Sequence, residues 1–383
     1  MSKSKVIVVP CFEYDEEKVY LSVKRGIDAL GGIEQFVNIN DKILVKPNFL
    51  SPGDNSRAVT TNPTVTKAVL RILNEAGCRN VKYGDSPGHG SCKDVAATAG
   101  PLESEAYGAT LADMSSEVLF PYEDGITCKE FYFTKEVVES DVIINVCKMK
   151  THALERITGA VKNLYGLICG FRKGAGHVKY PNDTIFARML CDIHRCVNCK
   201  LHIMDGIVAM EGNGPGSGTP INMNVLLFSN DPVAMDTVFC YLIDLNPQLV
   251  PTNSQGAATG IGNIEEDEIE IVIAEDTGCV TVSKDELFEK FGNAKYDVAR
   301  QKPKKSFLQC FSIVMTKFSK RPYIKKADCV KCGVCVKHCP VPGKAISFAN
   351  GKDNAPVYDY RKCIRCYCCQ EMCPKHAISV RGK

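Results

Sequence analysis

The chain has 383 residues, 45% of them hydrophobic and 24% charged, with a formal net charge of +3. That length suits a large domain with a smaller appendage, and so small a charge excess gives no polyanion signal, so no nucleic-acid partner is expected. No stretch approaches the roughly eighteen apolar residues of a membrane-spanning helix. No leader pattern surrounds the short apolar run at 6–9, so the cytoplasm is the expected compartment.

Cysteine is the outlier, at 21 residues. Thiols stay reduced in the cytosol and structural disulfides are rare there, so metal ligation is the better reading, and an anaerobic source would best tolerate the load. Thirteen of the 21 are not among the eight motif cysteines described below; small buried thiols also serve as ordinary packing residues.

In chain order, the runs at 6–9, 43–46, 81–84, 142–146, 201–205, 225–228 and 269–273 read as strands. Most are continuously apolar, as strands buried on both faces are. Helical patterns separate them. Asn62 before Pro63 starts one, whose face is Val65, Val69, Ile72 and Leu73 and whose stop is Gly77; Asn182-Asp183 and Asp231-Pro232 repeat the start. The expected fold is α/β, a doubly wound and mostly parallel sheet over 1–280. From Arg300 to Lys326 nine Lys or Arg alternate with apolar residues such as Phe307, Phe311 and Phe318. A basic linker with one amphipathic helix is expected over 281–322, its apolar face docked on a domain rather than on a membrane.

Cys329, Cys332, Cys335 and Cys339, followed by Pro340, form C-x2-C-x2-C-x3-C-P, and Cys363, Cys366, Cys369 and Cys373, followed by Pro374, repeat it. Three close thiolates grip one cubane, while the fourth, carried away by the proline, reaches the other. Two [4Fe-4S] clusters are expected, one on Cys329, Cys332, Cys335 and Cys373, the other on Cys363, Cys366, Cys369 and Cys339. Zinc ribbons share C-x2-C pairs but not two complete runs. Residues 323–383 thus resemble an α+β bacterial two-cluster ferredoxin, with Ala345-Ile346 and Ala377-Ile378 at equivalent places and Cys368 as a spare thiol.

Polar residues close several of the expected strands: Lys46 and Asn48; Asp85 and Ser86; Lys148, Lys150 and His152; and Asp205, with Glu211 and Asn213 beyond. One shared cleft at the strand ends is expected. Lys148, Lys150, His152, Lys162 and Asn163 suit an anionic carboxylate or phosphate ligand, and Lys148, Lys150 or His152 could act as acid or base. Any single lysine is more often a solvated surface residue, and Asp85, Asp205 and Glu211 suit a metal or ribose hydroxyls but equally plain turn chemistry. No G-x-G-x-x-G joins a strand to a helix, so a dinucleotide site is not supported. Cys191, Cys196 and Cys199 beside His194 read as buried packing thiols, with a third metal centre as the alternative.

Together Lys46-Pro47-Asn48, Gly84-Asp85-Ser86-Pro87-Gly88, Lys148-Met149-Lys150-Thr151-His152, the 158–166 segment, Asp205-Gly206, Glu211-Gly212-Asn213-Gly214-Pro215 and Asp231-Pro232 resemble the family catalogued as domain of unknown function 362, over about 5–275. The resemblance implies an iron-sulfur protein of anaerobic prokaryotes and fixes no reaction. Two functions are carried forward. One is a reductase fed by an external electron-carrier protein such as a ferredoxin, with a small anionic substrate in the α/β domain; the other is a non-catalytic electron-transfer or docking subunit.

Overall fold

A computed structural model of the chain describes residues 3–98, 107–170, 172–180, 182–301, 320–349 and 351–381. The α/β part contains β1 (Ser4–Pro10), β2 (Ile43–Pro47), β3 (Val81–Tyr83), β4 (Thr110–Leu111), the hairpin β5 (Glu117–Pro121) and β6 (Glu130–Thr134), β7 (Val142–His152), β8 (Arg156–Thr158), β9 (Cys199–Glu211), β10 (Thr219–Ser229), β11 (Ile269–Glu275) and β12 (Gly278–Val282). All but the hairpin join one ten-stranded sheet in the order β12-β11-β1-β10-β9-β7-β2-β3-β4, with β8 folded back on β7. Seven strands share a direction, and β8, β10 and β12 oppose it.

Both faces of this mixed, mostly parallel sheet are covered, which is why its strands are apolar without alternation. Ile7 and Val9 pack with the helices Glu16–Ala29 and Pro63–Glu75, whereas Val6 and Val8 pack with Pro232–Leu242 and Leu287 on the other side. All four side chains are fully buried, each worth about 1.5–3 kcal/mol relative to exposure. The three expected helix starts are present, with Asn62, Asn182 and Asp231 each accepting a backbone N–H at its cap.

Two expectations change. The polar segment 148–152 lies within a strand rather than beyond its end, because β7 continues to His152 and pairs there with β8 and, as far as Lys150, with the prolonged β9. The α/β fold also runs past 280: β12 pairs with β11, and the helix Lys284–Phe291, started by the Ser283/Glu286 capping box, buries Leu287 in the core. Residues 302–319, which hold most of the expected amphipathic helix, lie outside the described residues.

The C-terminal module pairs β13 (Arg321–Ile324) with β16 (Ile378–Arg381) and β14 (Ile346–Ser347) with β15 (Val357–Tyr358). Short helices Val334–Lys337 and Cys368–Glu371 carry the third cysteine of each loop, Cys335 and Cys369.

Candidate functional site

The two cysteine loops have the same backbone. Lys331 and Gly333 in the first, and Arg365 and Tyr367 in the second, all adopt left-handed φ between 61° and 75°. Lys344 and His376, which precede the matching Ala-Ile pairs, have φ of 50° and 52°. Cys329, Cys332, Cys335 and Cys373 line one pocket, the set expected from the spacing. In the second set, Cys339 and Cys369 are buried together with Ile346 and Ile378, and Cys363 packs against them. Tyr358 donates its hydroxyl proton to Cys369 Sγ at 3.2 Å, and Ala345 N–H points to Cys339 Sγ at 3.3 Å. Thiolates with such donors suit iron-sulfur ligation. Among the described residues no three His, Cys, Asp or Glu side chains close around a single ion. Four cysteines around one pocket, and the N–H and O–H donors to Cys339 and Cys369, fit four-iron clusters.

Cys191, Cys196 and Cys199 do not converge on a centre either. Cys196 bonds to the Ile193 carbonyl and Cys199 to that of Leu201, and burial pushes all three thiols up to about 12. These are packing thiols.

The α/β domain meets the module through the end of β7. His152 Nδ1 accepts the backbone N–H groups of Leu154 (3.1 Å) and Glu155 (3.0 Å), so this nitrogen carries no proton. The proton is on Nε2, which donates to Glu371 Oε1 at 3.0 Å. Burial pushes His152 down to about 4. Burial opposes the Glu371 charge, but the His152 hydrogen bond and Lys162 outweigh it and hold that carboxyl at about 2. Gln370 Nε2 donates to the carbonyls of Asn213 (2.8 Å) and Gly214 (3.1 Å), and Asn213 Nδ2 donates to Ile378 O. Arg57 donates to His376 Nε2, and His376 Nδ1 lies 2.9 Å from Ser217 Oγ. Met372 packs so closely on Gly88 that a Cβ there would stand 2.4 Å from its methyl.

Between the modules a cleft of about 660 Å³, open mouth included, is lined by Arg57, His89, Glu371, Cys373 and His376, with Val59 in its wall. Among the described residues Arg57 forms no salt bridge, although the Asp54 carboxylate, which also lines the cleft, feels its charge.

The expected polar residues are assembled, but mostly with one another. Lys46 pairs with Asp85 at 2.9 Å and Lys148 with Asp205 at 2.6 Å, all four side chains almost wholly buried. Gly166 has no side chain because a Cβ would fall 1.9 Å from Asp85 Oδ1 and 2.7 Å from Lys46 Nζ. Tyr14 Oη donates to Asp205 and receives from Lys148. Lys150 has only neutral acceptors, Asn48 Oδ1 at 2.6 Å and Val59 O at 2.8 Å; burial and the ammonium groups of Lys162 and Lys148 push it down to about 7. Asn48 continues to Asn163, and Asn163 to Asn145. Ser86 accepts from Gly170 and Lys173, and Glu211 caps Asp297 N–H. Lys162 lies 5.9 Å from the Tyr165 ring with no hydrogen-bond partner among the described residues.

Lys150 and His152 thus stand one layer behind the cleft, holding the Val59 carbonyl and the Glu371 carboxylate that line it. Arg57, His89, Glu371 and His376 escape a reading of the sequence, since they come from distant segments of two modules. One signal was present: Glu371 interrupts the second cysteine run where the first has Lys337.

An α/β domain bearing a ferredoxin-type module with a polar cleft between them defines an iron-sulfur electron-transfer protein. The module matches the 4Fe-4S dicluster domain at residues 321–374, and so binds 4Fe-4S iron-sulfur. Residues 43–241, over half of the chain, match the family described as domain of unknown function (DUF362), and the chain belongs to that family. A thylakoid-associated protein of Synechocystis sp. is 32% identical over 250 residues, 65% of this chain and 77% of the relative. Among solved structures, the lactate racemase apoprotein from Thermoanaerobacterium thermosaccharolyticum is 15% identical at a TM-score of 0.41, over 62% of this chain and 56% of that one. A Thermotoga maritima protein is 12% identical at 0.35, over 57% and 56%. The chain spans a little over half the length of each of these two. No described helix is long and apolar enough to cross a membrane.

Proposed function

We propose that the protein is a reductase of a small anionic organic substrate, fed by an external one-electron carrier protein, with the substrate in the cleft between the modules. The observation that carries this reading is that Arg57, which forms no salt bridge among the described residues, shares the cleft with Cys373, one of the cysteines expected to hold iron. A guanidinium so placed binds a carboxylate or phosphate by paired N–H bonds.

Two [4Fe-4S] clusters, held by the two cysteine sets, would supply electrons one at a time. The protein's own groups do the rest. Arg57 orients the anion, and His89 and His376 border it. Lys150 fixes the Val59 wall, and His152 fixes Glu371, so both are positioning residues. Lys148, paired with Asp205, secures the β7 and β9 extensions that carry them. Glu155 is fully buried, both its carboxyl oxygens lack partners, and burial pushes it well above the carboxylate range. It therefore stores a proton beside His152, of the kind a reduction consumes.

The electron carrier meets the first cysteine set, where Cys332 is exposed and Val330 is 56% exposed. A load of 21 cysteines suits a reducing compartment, and the cytoplasm is the location we propose. Anaerobic purification with iron, acid-labile sulfide and bound-ligand analysis tests the reading. About eight irons per chain and a co-purifying anion support it. About four irons refute the two-cluster part, and zinc without sulfide refutes the whole.

A further inference from the structure

Arg365 sits between Cys363 and Cys366 and is 5% exposed, and its Nε and Nη1 are buried without any hydrogen-bond partner. Its guanidinium carbon is 5.3 Å from the Tyr360 ring centroid, and that ring also faces Arg321 at 5.2 Å. No carboxylate pairs with Arg365 among the described residues. A buried cation without a counter-charge is costly, so some anion must offset it. The anionic groups of its own loop are the thiolates of the second cysteine set. The equivalent position in the first loop is Lys331, with the same left-handed backbone but an exposed side chain whose charge water screens.

We propose that Arg365 makes the two iron-sulfur centres unequal, raising the midpoint potential of the centre on Cys363, Cys366, Cys369 and Cys339 above that of the centre on Cys329, Cys332, Cys335 and Cys373. Reduction adds one negative charge. A buried guanidinium favours the more negative form, and its free N–H groups can bond to sulfur, both of which raise the potential. Glu371 opposes this in the same region, but it is offset by the His152 N–H and by Lys162. Water at Cys332 stabilises added charge on the first centre; substituting Arg365 leaves that contribution unchanged. The electron then rests by preference on the second centre, one of whose ligands, Cys369, lies two residues from Glu371.

The inference rests on the two-cluster reading, and the experiment separates the two. Full-length protein with its iron quantified is titrated potentiometrically under electron paramagnetic resonance. In protein with eight irons, two midpoints are expected, separated by at least the tenfold one-electron ratio that corresponds to about 59 mV. Coincident midpoints overturn the proposal; four irons overturn the two-cluster reading instead. Arg365→Met should lower the higher midpoint by at least the same tenfold ratio and leave the lower one in place. Arg365→Lys should keep most of the separation, and Lys331→Met should change neither midpoint. If Arg365→Met loses iron, Arg365→Gln, which loses the charge but keeps N–H donors, replaces it. An eight-iron neutral variant with wild-type midpoints contradicts the proposal.

Discussion

His152 Nε2 stands 3.0 Å from Glu371 Oε1, tying the last residue of β7 to the helix between Cys369 and Cys373. Because His152 Nδ1 is occupied by two backbone N–H groups, the pair is a neutral imidazole donating to a carboxylate. The α/β domain therefore grips the iron-sulfur module at the loop that carries its ligands.

Acid should loosen that grip. His152 is pushed down to about 4 and Glu371 held at about 2, against ordinary values of about 6.5 and 4.3. In each case the unfolded chain binds the proton first as pH falls. Stability is then full above about 6.5 and is lost progressively toward pH 2. His152→Phe should flatten the upper part of this loss, worth at most about 3 kcal/mol, in urea unfolding measured at pH 7 and pH 5.

Glu155 should act in the opposite sense. Its folded pKa lies above the unfolded value, so the native state holds the extra proton and stability falls as pH rises above about 4.3. Glu155→Gln mimics the protonated form. It should remove a slope of up to about 1.4 kcal/mol per pH unit while leaving stability at pH 4 within about 1 kcal/mol. A variant with the wild-type slope would show that Glu155 is ionised in the native state.

Gly166→Ala should be severe for so small a change. The added methyl would collide with Asp85 and Lys46 and break a buried ion pair, at about 3–5 kcal/mol. Replacing both partners, as Lys46→Met with Asp85→Leu, relieves the unpaired charge and should make Gly166→Ala cheaper in that background. Urea midpoints of the four proteins, with and without Gly166→Ala in each background, give the comparison.

These residues also mark what the sequence could reveal. The seven expected strands were legible because helices cover both faces of the sheet and leave unbroken apolar runs such as Val6 to Val9. Both cysteine runs were legible because the ligand spacing is local. The charge of the 148–152 segment reads as a strand end, although Cys147, Met149 and Thr151 alternate with Lys148, Lys150 and His152 in a period of two. That Asp85 neutralises buried Lys46 and Asp205 neutralises buried Lys148 depends on contacts 39 and 57 residues apart, which no local pattern encodes. The cleft was hidden for the same reason.

Gly88→Val should press on Met372 and weaken docking of the module, by about 1–3 kcal/mol. Adding Met372→Ala should restore it. Hydrogen exchange of the 371–376 segment reports the opening.

The most direct test is the reoxidation rate of the dithionite-reduced, eight-iron protein on addition of the anionic small molecules extracted from it. The account predicts that wild-type protein is reoxidised and that Arg57→Gln, which keeps a donor for His376, is reoxidised at least tenfold more slowly with its iron intact. Equal rates in the two proteins would contradict it.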